Sequence, residues 1–219
     1  MRRPATLSNI ENQILDRLAE VNYSTSKQLV RGLNVQASHI SQCIKKLVAL
    51  NLVDGNFITR PMILHLTQAA GRLLNVPQPY DRRHASWSVM AHACHLNEVQ
   101  ALMLEKHSGF RFLSRETLYK QGFNPGFGEH CAVDDSGTTW FVILDDYLMG
   151  SDRIKRSWTR RHTPNTKYWP DHTGRAWCEV VNRFVVICTD ESHALKHQKY
   201  ITRAGLPADV IQIKPLWRN

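Results

Sequence analysis

The sequence predicts an α+β chain in two parts: a small helical domain closed by a β-hairpin, then an α/β domain with a mixed sheet. Up to about residue 75, apolar residues recur every three to four positions, as in amphipathic helices, and short strand-like runs follow. Beyond residue 86, strand-like runs alternate with helical segments, which is typical of an α/β domain. We therefore divide the chain into residues 1–75, a linker over 76–85, and residues 86–219.

Composition favours a globular protein with a polyanionic partner. The 219 residues are 42% hydrophobic and carry a formal net charge of +9. A basic surface favours nucleic acid because each phosphate contact releases counterions. No apolar run approaches the roughly 20 residues of a membrane span, and the N-terminal residues are polar, unlike a signal peptide. We expect a bacterial cytoplasmic protein that is associated with the nucleoid or a plasmid.

Cysteine usage is that of a reducing compartment. The five cysteines are odd in number and form no C-x-x-C pair. The tract His92–His95 (His-Ala-Cys-His) has the composition of a metal site, but no second ligand pair stands at zinc-site spacing. The leading expectation is therefore a protein without metal or cofactor.

Two capped helices begin the first domain. Ser8 and Glu11 have the spacing of a capping box, and the helix they begin stops near Val21. Thr25 and Gln28 repeat that spacing before a second helix, which ends at Gly32. The inward-facing apolar residues of the two helices are Ile10, Ile14, Leu15, Leu18, Leu29 and Val30.

A third helix, predicted from about Gln36 to Leu50, has two different faces. Its apolar positions are Ile40, Ile44, Leu47 and Val48. The opposite face carries hydrogen-bonding groups and then cations: Gln36, Ser38, His39, Ser41, Gln42, Lys45 and Lys46. A helix that enters the DNA major groove needs base-edge readers near its N-terminus and phosphate contacts beside them. A polar face that is only solvated has a similar composition. The elements around the helix therefore have to distinguish a DNA-binding face from a solvated one.

Those elements are a strand, a turn, a second strand and a helix that Thr67 caps. The order resembles the winged helix-turn-helix domains of MarR-like regulators over residues 7–75. The resemblance implies Gln36–Lys46 as the recognition segment and Asp54–Arg60 as the wing, with Arg60 as a further DNA contact. It also implies double-stranded DNA as the partner and a homodimer on a palindromic site. Some winged helices bind only partner proteins, which is the alternative.

The second domain is predicted to begin with a long helix over Ser86–Lys106. The residues expected on its buried stripe are Trp87, Met90, Cys94, Val99, Leu102 and Met103. The predicted strands are Phe110–Leu113, Cys131–Val133, Thr139–Leu144, Arg183–Thr189 and Val210–Ile213. Asp134–Gly137 is a hairpin turn, and a helix over Glu191–Ala204 makes a strand-helix-strand crossover with a parallel pair.

Acidic residues lie at two strand ends: Glu129 before one hairpin strand, and Asp145 and Asp146 at the end of the other. Carboxylates at adjacent strand ends suit a hard divalent cation. With the strand-helix-strand unit, this order resembles the restriction-endonuclease-like core. The whole chain resembles the replication–relaxation family of plasmid and integrative-element proteins.

That resemblance implies Glu129 and Asp145 as magnesium ligands, with a lysine two residues after Asp145. Tyr147 stands there instead, and Lys155 or Arg153 would have to reach back. Without a cation at that position, charge neutralisation at the scissile phosphate is weakened. We therefore favour a degenerate nuclease fold that is kept for binding. Solvated turn acids and an active enzyme that uses magnesium or manganese are the alternatives.

The densest basic stretch interleaves cations with aromatic residues. Its predicted DNA contacts are Arg153, Lys155, Arg156, Arg160 and Arg161. Cations beside aromatic side chains suit phosphate neutralisation and base stacking. The alternative is a solvated basic segment whose tryptophans pack into the core.

The leading hypothesis is a sequence-specific double-stranded-DNA-binding protein of a mobile genetic element. It would act in transcriptional control or in assembling a plasmid mobilisation or replication complex, with other DNA-processing proteins as partners. The first alternative is a metal-dependent nickase or relaxase that uses Glu129 and Asp145, with Asp146 and Lys155. The second is a regulator whose second domain senses a small molecule.

Overall fold

The computed structural model of the protein describes residues 7–56, 60–76, 86–120, 128–146, 181–205 and 208–217. The chain divides into two compact units. Unit 1 comprises Met1–Glu98 and Leu216–Asn219, and unit 2 comprises Val99–Pro215. In the described part of the chain, no helix combines the length and the apolar character needed to cross a membrane.

Unit 1 contains a helix-turn-helix followed by a β-hairpin. Its elements are α1 (Asn9–Val21), β1 (Tyr23–Thr25), α2 (Ser26–Leu33), α3 (Ala37–Ala49), β2 (Val53–Asn56), β3 (Ile63–Leu66) and α4 (Gln68–Leu73). The three strands form an antiparallel sheet in the order β1-β3-β2. A short turn at Asn34, which adopts a left-handed conformation, joins α2 to α3. This is the topology of a winged helix-turn-helix domain.

Side-chain caps fix where these helices begin. Ser8 and Glu11 form the predicted capping box, in which the Ser8 backbone N–H donates to Glu11 Oε2 over 2.7 Å. Thr25 and Gln28 form the second box. Thr67 caps α4 by accepting from the Ala70 N–H. The first backbone N–H groups of a helix have no partner within the helix, and each cap accepts a hydrogen bond from one of them. Capping residues therefore mark helix starts, and the first residue of each helix could be predicted from the sequence.

The core of unit 1 joins the inner faces of the three helices to the sheet. Its buried residues include Ile14, Leu15, Leu18, Leu29, Ile40, Cys43, Ile44, Leu47, Leu64 and Leu66. The predicted inner positions Ile10, Val30 and Val48 are only partly buried and pack against this core. Half of α3 is thus held by the core, which leaves its polar half at the surface.

The division into units falls at residue 98, inside α5 (Trp87–Leu104), whereas the sequence suggests a linker over 76–85. The first turns of α5 belong to unit 1 because they are bonded to it. Gln28 Nε2 donates to the Cys94 carbonyl over 2.7 Å, and Asn97 Nδ2 donates to the Tyr23 carbonyl over 2.8 Å. Residues 77–85 lie outside the described part of the chain.

The predicted buried stripe of α5 is only partly correct. Met90, Cys94, Val99 and Met103 are buried, and Leu102 is half-buried. The prediction for Trp87 is wrong, because its side chain is 37% exposed. Trp87 lies in the first turn of the helix, where its ring meets the edge of Trp217 at a centroid distance of 4.9 Å.

Unit 2 is built on a five-stranded mixed sheet. After α5, its elements are β4 (Arg111–Phe112), α6 (Arg115–Lys120), β5 (Glu129–Val133), β6 (Thr139–Asp145), β7 (Arg183–Cys188), α7 (Glu191–Ala204) and β8 (Ala208–Gln212). The strand order is β4-β5-β6-β7-β8. The first two pairings are antiparallel and the last two are parallel, so the predicted crossover through α7 is confirmed.

The side chains of β6 alternate between the two faces of this sheet. Phe141 and Ile143 belong to a core cluster with Phe184, Val186 and Ile201, the last of which lies on α7. Asp145 follows Ile143 by two residues, so it lies on the same face as this cluster. Along β6, the side of the sheet that α7 covers is therefore apolar until the strand ends in the Asp145 carboxylate.

The β5–β6 hairpin turn is organised by Asp134, as the sequence suggests. Its carboxylate accepts from the Ser136 hydroxyl, from Trp140 Nε1 over 2.9 Å and from the Thr138 N–H over 3.0 Å. Gly137 closes the turn with a φ of 78°, which favours glycine. The hydrogen bonds from Ser136 and then Trp140 lower the pKa of Asp134 to about 2.

We predict that Asp134 stabilises the fold above its unfolded pKa. Because the folded pKa is depressed, this contribution is complete above about pH 5 and is lost as the pH falls towards 2. A carboxyl-carbon NMR titration of Asp134 should give a midpoint near 2. Ser136→Ala, which removes one donor, should move the midpoint upwards. A wild-type midpoint near 4, the ordinary value, would contradict this account of the turn.

Candidate functional site

The exposed face of α3 carries all the polar residues that the sequence assigned to DNA recognition. Their side chains are exposed: Gln36, Ser38, His39, Ser41, Gln42, Lys45 and Lys46. Buried Ile40, Ile44 and Leu47 on the other side of the helix hold this orientation. We call these seven exposed residues the α3 polar face. Gln36 is the N-cap but makes no side-chain capping hydrogen bond, so its amide is not engaged by the helix start.

The surroundings of this face are basic. Between Glu20 and Asp54 the chain has no acidic residue, and it has four cations: Lys27, Arg31, Lys45 and Lys46. Two of these cations are ion-paired within unit 1: Arg31 with Glu98, and Lys46 with Glu11, each over 3.0 Å. Lys27 and Lys45 form no ion pair with a described residue. These two lysines therefore add positive charge beside the α3 polar face.

Lys46 has a second role besides its place on the α3 polar face. Its partner Glu11 is buried, which acts to raise the pKa of that carboxyl. The hydrogen bonds from Ser8 and Lys46 and the charge of Lys46 outweigh burial, and the pKa of Glu11 is lowered overall. Removing Lys46 would leave a buried carboxylate without its cation. Lys45 is therefore the cleaner probe of phosphate contact.

An apolar groove of about 560 Å³ lies beside the α3 polar face. Its lining residues come from α2, α3 and the start of the hairpin: Ser26, Lys27, Val30, Ala37, Ser41, Ile44, Lys45, Val48 and Met62. Ser41 and Lys45 belong both to the groove and to the polar face. A small molecule held here would therefore lie next to the surface that the sequence assigned to DNA.

The wing and the basic stretch are only partly within the described residues. Asp54, Gly55 and Asn56 of the predicted wing are part of β2, and residues 57–59 are outside the described ranges. Arg60 is exposed at the start of the second hairpin arm. The predicted contacts that lie outside the described residues are Arg153, Lys155, Arg156, Arg160 and Arg161.

Two of the carboxylates singled out in unit 2, Glu129 and Asp145, lie on one face of the sheet. Glu129 is the first residue of β5 and pairs with Ile143, so Asp145 is its diagonal neighbour. Cα atoms at diagonal positions are about 7–8 Å apart. Glu129 and Asp145 are both buried, and Asp146 is half-buried just after β6. The predicted convergence of Glu129 with Asp145 is thus compatible with the register.

Asp145 lies in a buried polar cluster that the sequence analysis missed. Its Oδ2 atom is 3.2 Å from His193 Nδ1 and 2.9 Å from His197 Nε2, and the Asp145 side chain is 0% exposed. Cys188 is the register partner of Asp145 on β7 and is also buried. Burial, with the negative charges of Asp145 and Asp190, raises the pKa of Cys188 to about 12.

Local structure directs both histidines into the cluster. Asp190 caps α7 and accepts from the His193 N–H, which fixes where the helix begins. His193 and His197 are four residues apart, so they share one face of α7. The sequence signal was present, because two histidines at helical spacing follow directly after a buried strand. Their partner could not be named without the fold.

Comparisons with known proteins leave the chain without a family. No family model and no curated protein matches the sequence. Among solved structures, the adhesin competence repressor from Streptococcus pyogenes is 22% identical, covering 53% of this chain and 75% of that one, at a TM-score of 0.29. The transcriptional regulator Tm0710 from Thermotoga maritima is 16% identical, with coverages of 46% and 79% and a TM-score of 0.30.

A repair endonuclease from Pyrococcus abyssi is 13% identical over 70% of this chain and 53% of that one, at a TM-score of 0.33. At these scores and identities, the similarities assign neither a family nor a function.

We predict that Asp145 stabilises unit 2, unlike a typical solvent-facing magnesium ligand. Asp145→Ala removes the partner of two buried imidazoles, and each unsatisfied group costs about 1–3 kcal/mol. The free energy of unfolding, measured by urea titration, should fall by about 2–5 kcal/mol. Asp209→Ala, which removes an exposed carboxylate from β8, is the matched control and should change little. An Asp145→Ala variant as stable as wild type would overturn this role.

Proposed function

We propose that the protein binds double-stranded DNA sequence-specifically through the α3 polar face. The observation that carries this proposal is the exposure of seven polar residues on the second helix of a helix-turn-helix, in a stretch without acidic residues. Gln36, Ser38 and Gln42 are the candidate readers of base edges. Lys45 and Arg60 are the candidate phosphate contacts, and Lys27 adds positive charge.

We further propose that the protein works as a homodimer of a mobile genetic element. In this proposal it controls transcription or assembles a mobilisation or replication complex on a palindromic site. We propose α5 as the dimer contact, where Val89 and Leu104 are exposed apolar side chains. The basic stretch around residues 153–161 would add contacts to the same DNA.

Two alternatives have a specific observation in their favour. The groove beside the α3 polar face favours a regulator whose small-molecule ligand competes with DNA. The shared sheet face of Glu129 and Asp145 favours a nickase. However, Asp145 is fully buried and its Oδ2 atom is engaged by His193 and His197, which disfavours a magnesium site there. The nickase can be tested by incubating supercoiled plasmid with the protein and magnesium or manganese. If the wild type nicks the plasmid and the Glu129→Gln variant does not, the nickase replaces our proposal.

The binding proposal predicts separable effects of two substitutions on α3. After selection of a preferred duplex from a random pool, Lys45→Ala should weaken binding and make the slope of log affinity against log salt shallower by about one. Gln42→Ala should reduce discrimination between the selected duplex and single-base variants by about 1–3 kcal/mol. Both can be measured by fluorescence anisotropy.

Lys199→Ala is the matched control, because it removes an exposed lysine from α7 in unit 2. Its salt slope should equal that of the wild type. If Lys45→Ala and Lys199→Ala have the same effect, then binding follows net charge and not the α3 polar face, and the proposal fails.

A further inference from the structure

The cluster around Asp145 combines donor types that bind a transition metal. Asp145, Cys188 and His197 each offer one ligand atom, and these three atoms all lie within 4.8 Å of one another. In a tetrahedral zinc site with bonds of about 2.0–2.3 Å, neighbouring ligand atoms are about 3.3–3.8 Å apart. Small side-chain shifts would therefore bring the three atoms to the spacing of a metal shell.

His193 lies beside this set of three and could complete it as a fourth donor if its imidazole turned towards the other ligand atoms. Its Nδ1 atom is 3.2 Å from Asp145 Oδ2, and it precedes His197 by one turn of α7. The set then consists of one carboxylate oxygen, one thiol sulphur and two imidazole nitrogens. Sulphur and imidazole donors suit zinc, whereas magnesium prefers an all-oxygen shell.

Burial indicates which kind of zinc site this would be. Asp145 and Cys188 are 0% exposed, His197 is 1% exposed and His193 is 7% exposed. Buried donors without solvent access suit a structural zinc site, which has a closed shell, whereas catalytic zinc keeps an open position. A plain hydrogen-bond network would explain the carboxylate and the imidazoles, and Cys188 also packs in the apolar core. What points to a metal is that the Cys188 sulphur lies within 4.8 Å of both an Asp145 oxygen and a His197 nitrogen.

The donors also come from three separate elements. Asp145 ends β6, Cys188 ends the neighbouring parallel strand β7, and the histidines lie on α7, which follows β7. A metal at this point would tie the carboxyl ends of two strands to the helix that covers them. Its contribution to unit 2 would resemble that of a cross-link.

We propose that Asp145, Cys188 and His197 hold a structural zinc ion in unit 2, with His193 turning in as the fourth ligand. This inference is independent of the DNA-binding proposal, since it rests on other residues and another unit. It also differs from the magnesium expectation for Glu129 and Asp145, because it replaces Glu129 with sulphur and nitrogen donors.

The test uses the full chain after removal of metals with a chelator. Cobalt(II) should give the intense visible absorption of a tetrahedral site and a near-ultraviolet thiolate-to-cobalt band, and one equivalent of zinc should displace it. Zinc should also raise the melting temperature, whereas magnesium should not. Folded wild-type protein that gives no thiolate-to-cobalt band would overturn the proposal.

Cys188→Ser should abolish the thiolate band and weaken zinc binding at least about 100-fold, since even loss of an outer-shell partner costs 10–100-fold. Cys131→Ser is the matched control, because Cys131 is another buried cysteine of the same sheet and should leave both readouts unchanged. A Cys188→Ser protein that keeps wild-type zinc affinity would contradict the proposal. If Cys188→Ser does not fold, His197→Gln tests the same site by its loss of zinc affinity.

Discussion

The burial of one side of α3 determines which of its residues unit 1 exposes to solvent. Ile40 and Leu47 are 0% exposed and Ile44 is 6% exposed, so rotating the helix would expose large apolar side chains to water. Fully burying one such side chain is worth about 1.5–3 kcal/mol, and three of them hold the helix in one orientation. The α3 polar face is exposed for this reason. The proposed DNA contacts thus follow from core packing, while Lys46, which pairs with buried Glu11, also helps to stabilise the fold.

A comparable constraint positions the polar cluster of unit 2. The parallel register of β6 and β7 sets Asp145 beside Cys188, and the cap at Asp190 sets the start of α7. With both fixed, the two histidines have to face the carboxylate. A buried carboxylate needs hydrogen-bond donors or a cation, and this arrangement can supply either. The cluster is therefore a consequence of sheet register and helix start together.

The helices and the hairpin of unit 1 could be predicted because their signals are local. The capping boxes at Ser8 and Thr25 and the apolar period of α3 all lie within one or two turns of chain. The three-residue strand β1 was missed, since such a short strand depends on its pairing with β3. The place of the unit boundary was also not predictable, because the bonds that attach α5 to Gln28 and Tyr23 span more than sixty residues.

The two candidate sites also differ in how far their residues could be predicted from local sequence signals. The residues of the α3 polar face could be listed from the sequence, because helical periodicity alone separates them from the core. For the cluster in unit 2, the sequence analysis identified Asp145 but neither Cys188 nor the two histidines. Asp145 is 43 residues from Cys188 in the sequence, and only the pairing of β6 with β7 makes them neighbours. Glu129 was selected instead because the hairpin that links it to Asp145 is visible in the sequence.

The most direct test of the central claim is to map the DNA contact on the full chain by amide NMR. An isotope-labelled sample would be titrated with its selected duplex at moderate salt. The account predicts that the largest shift changes fall on residues 36–46, with Arg60 beside them, while α7 of unit 2 is unaffected. Saturable binding that leaves residues 36–46 unchanged and perturbs α7 or the sheet of unit 2 would contradict it.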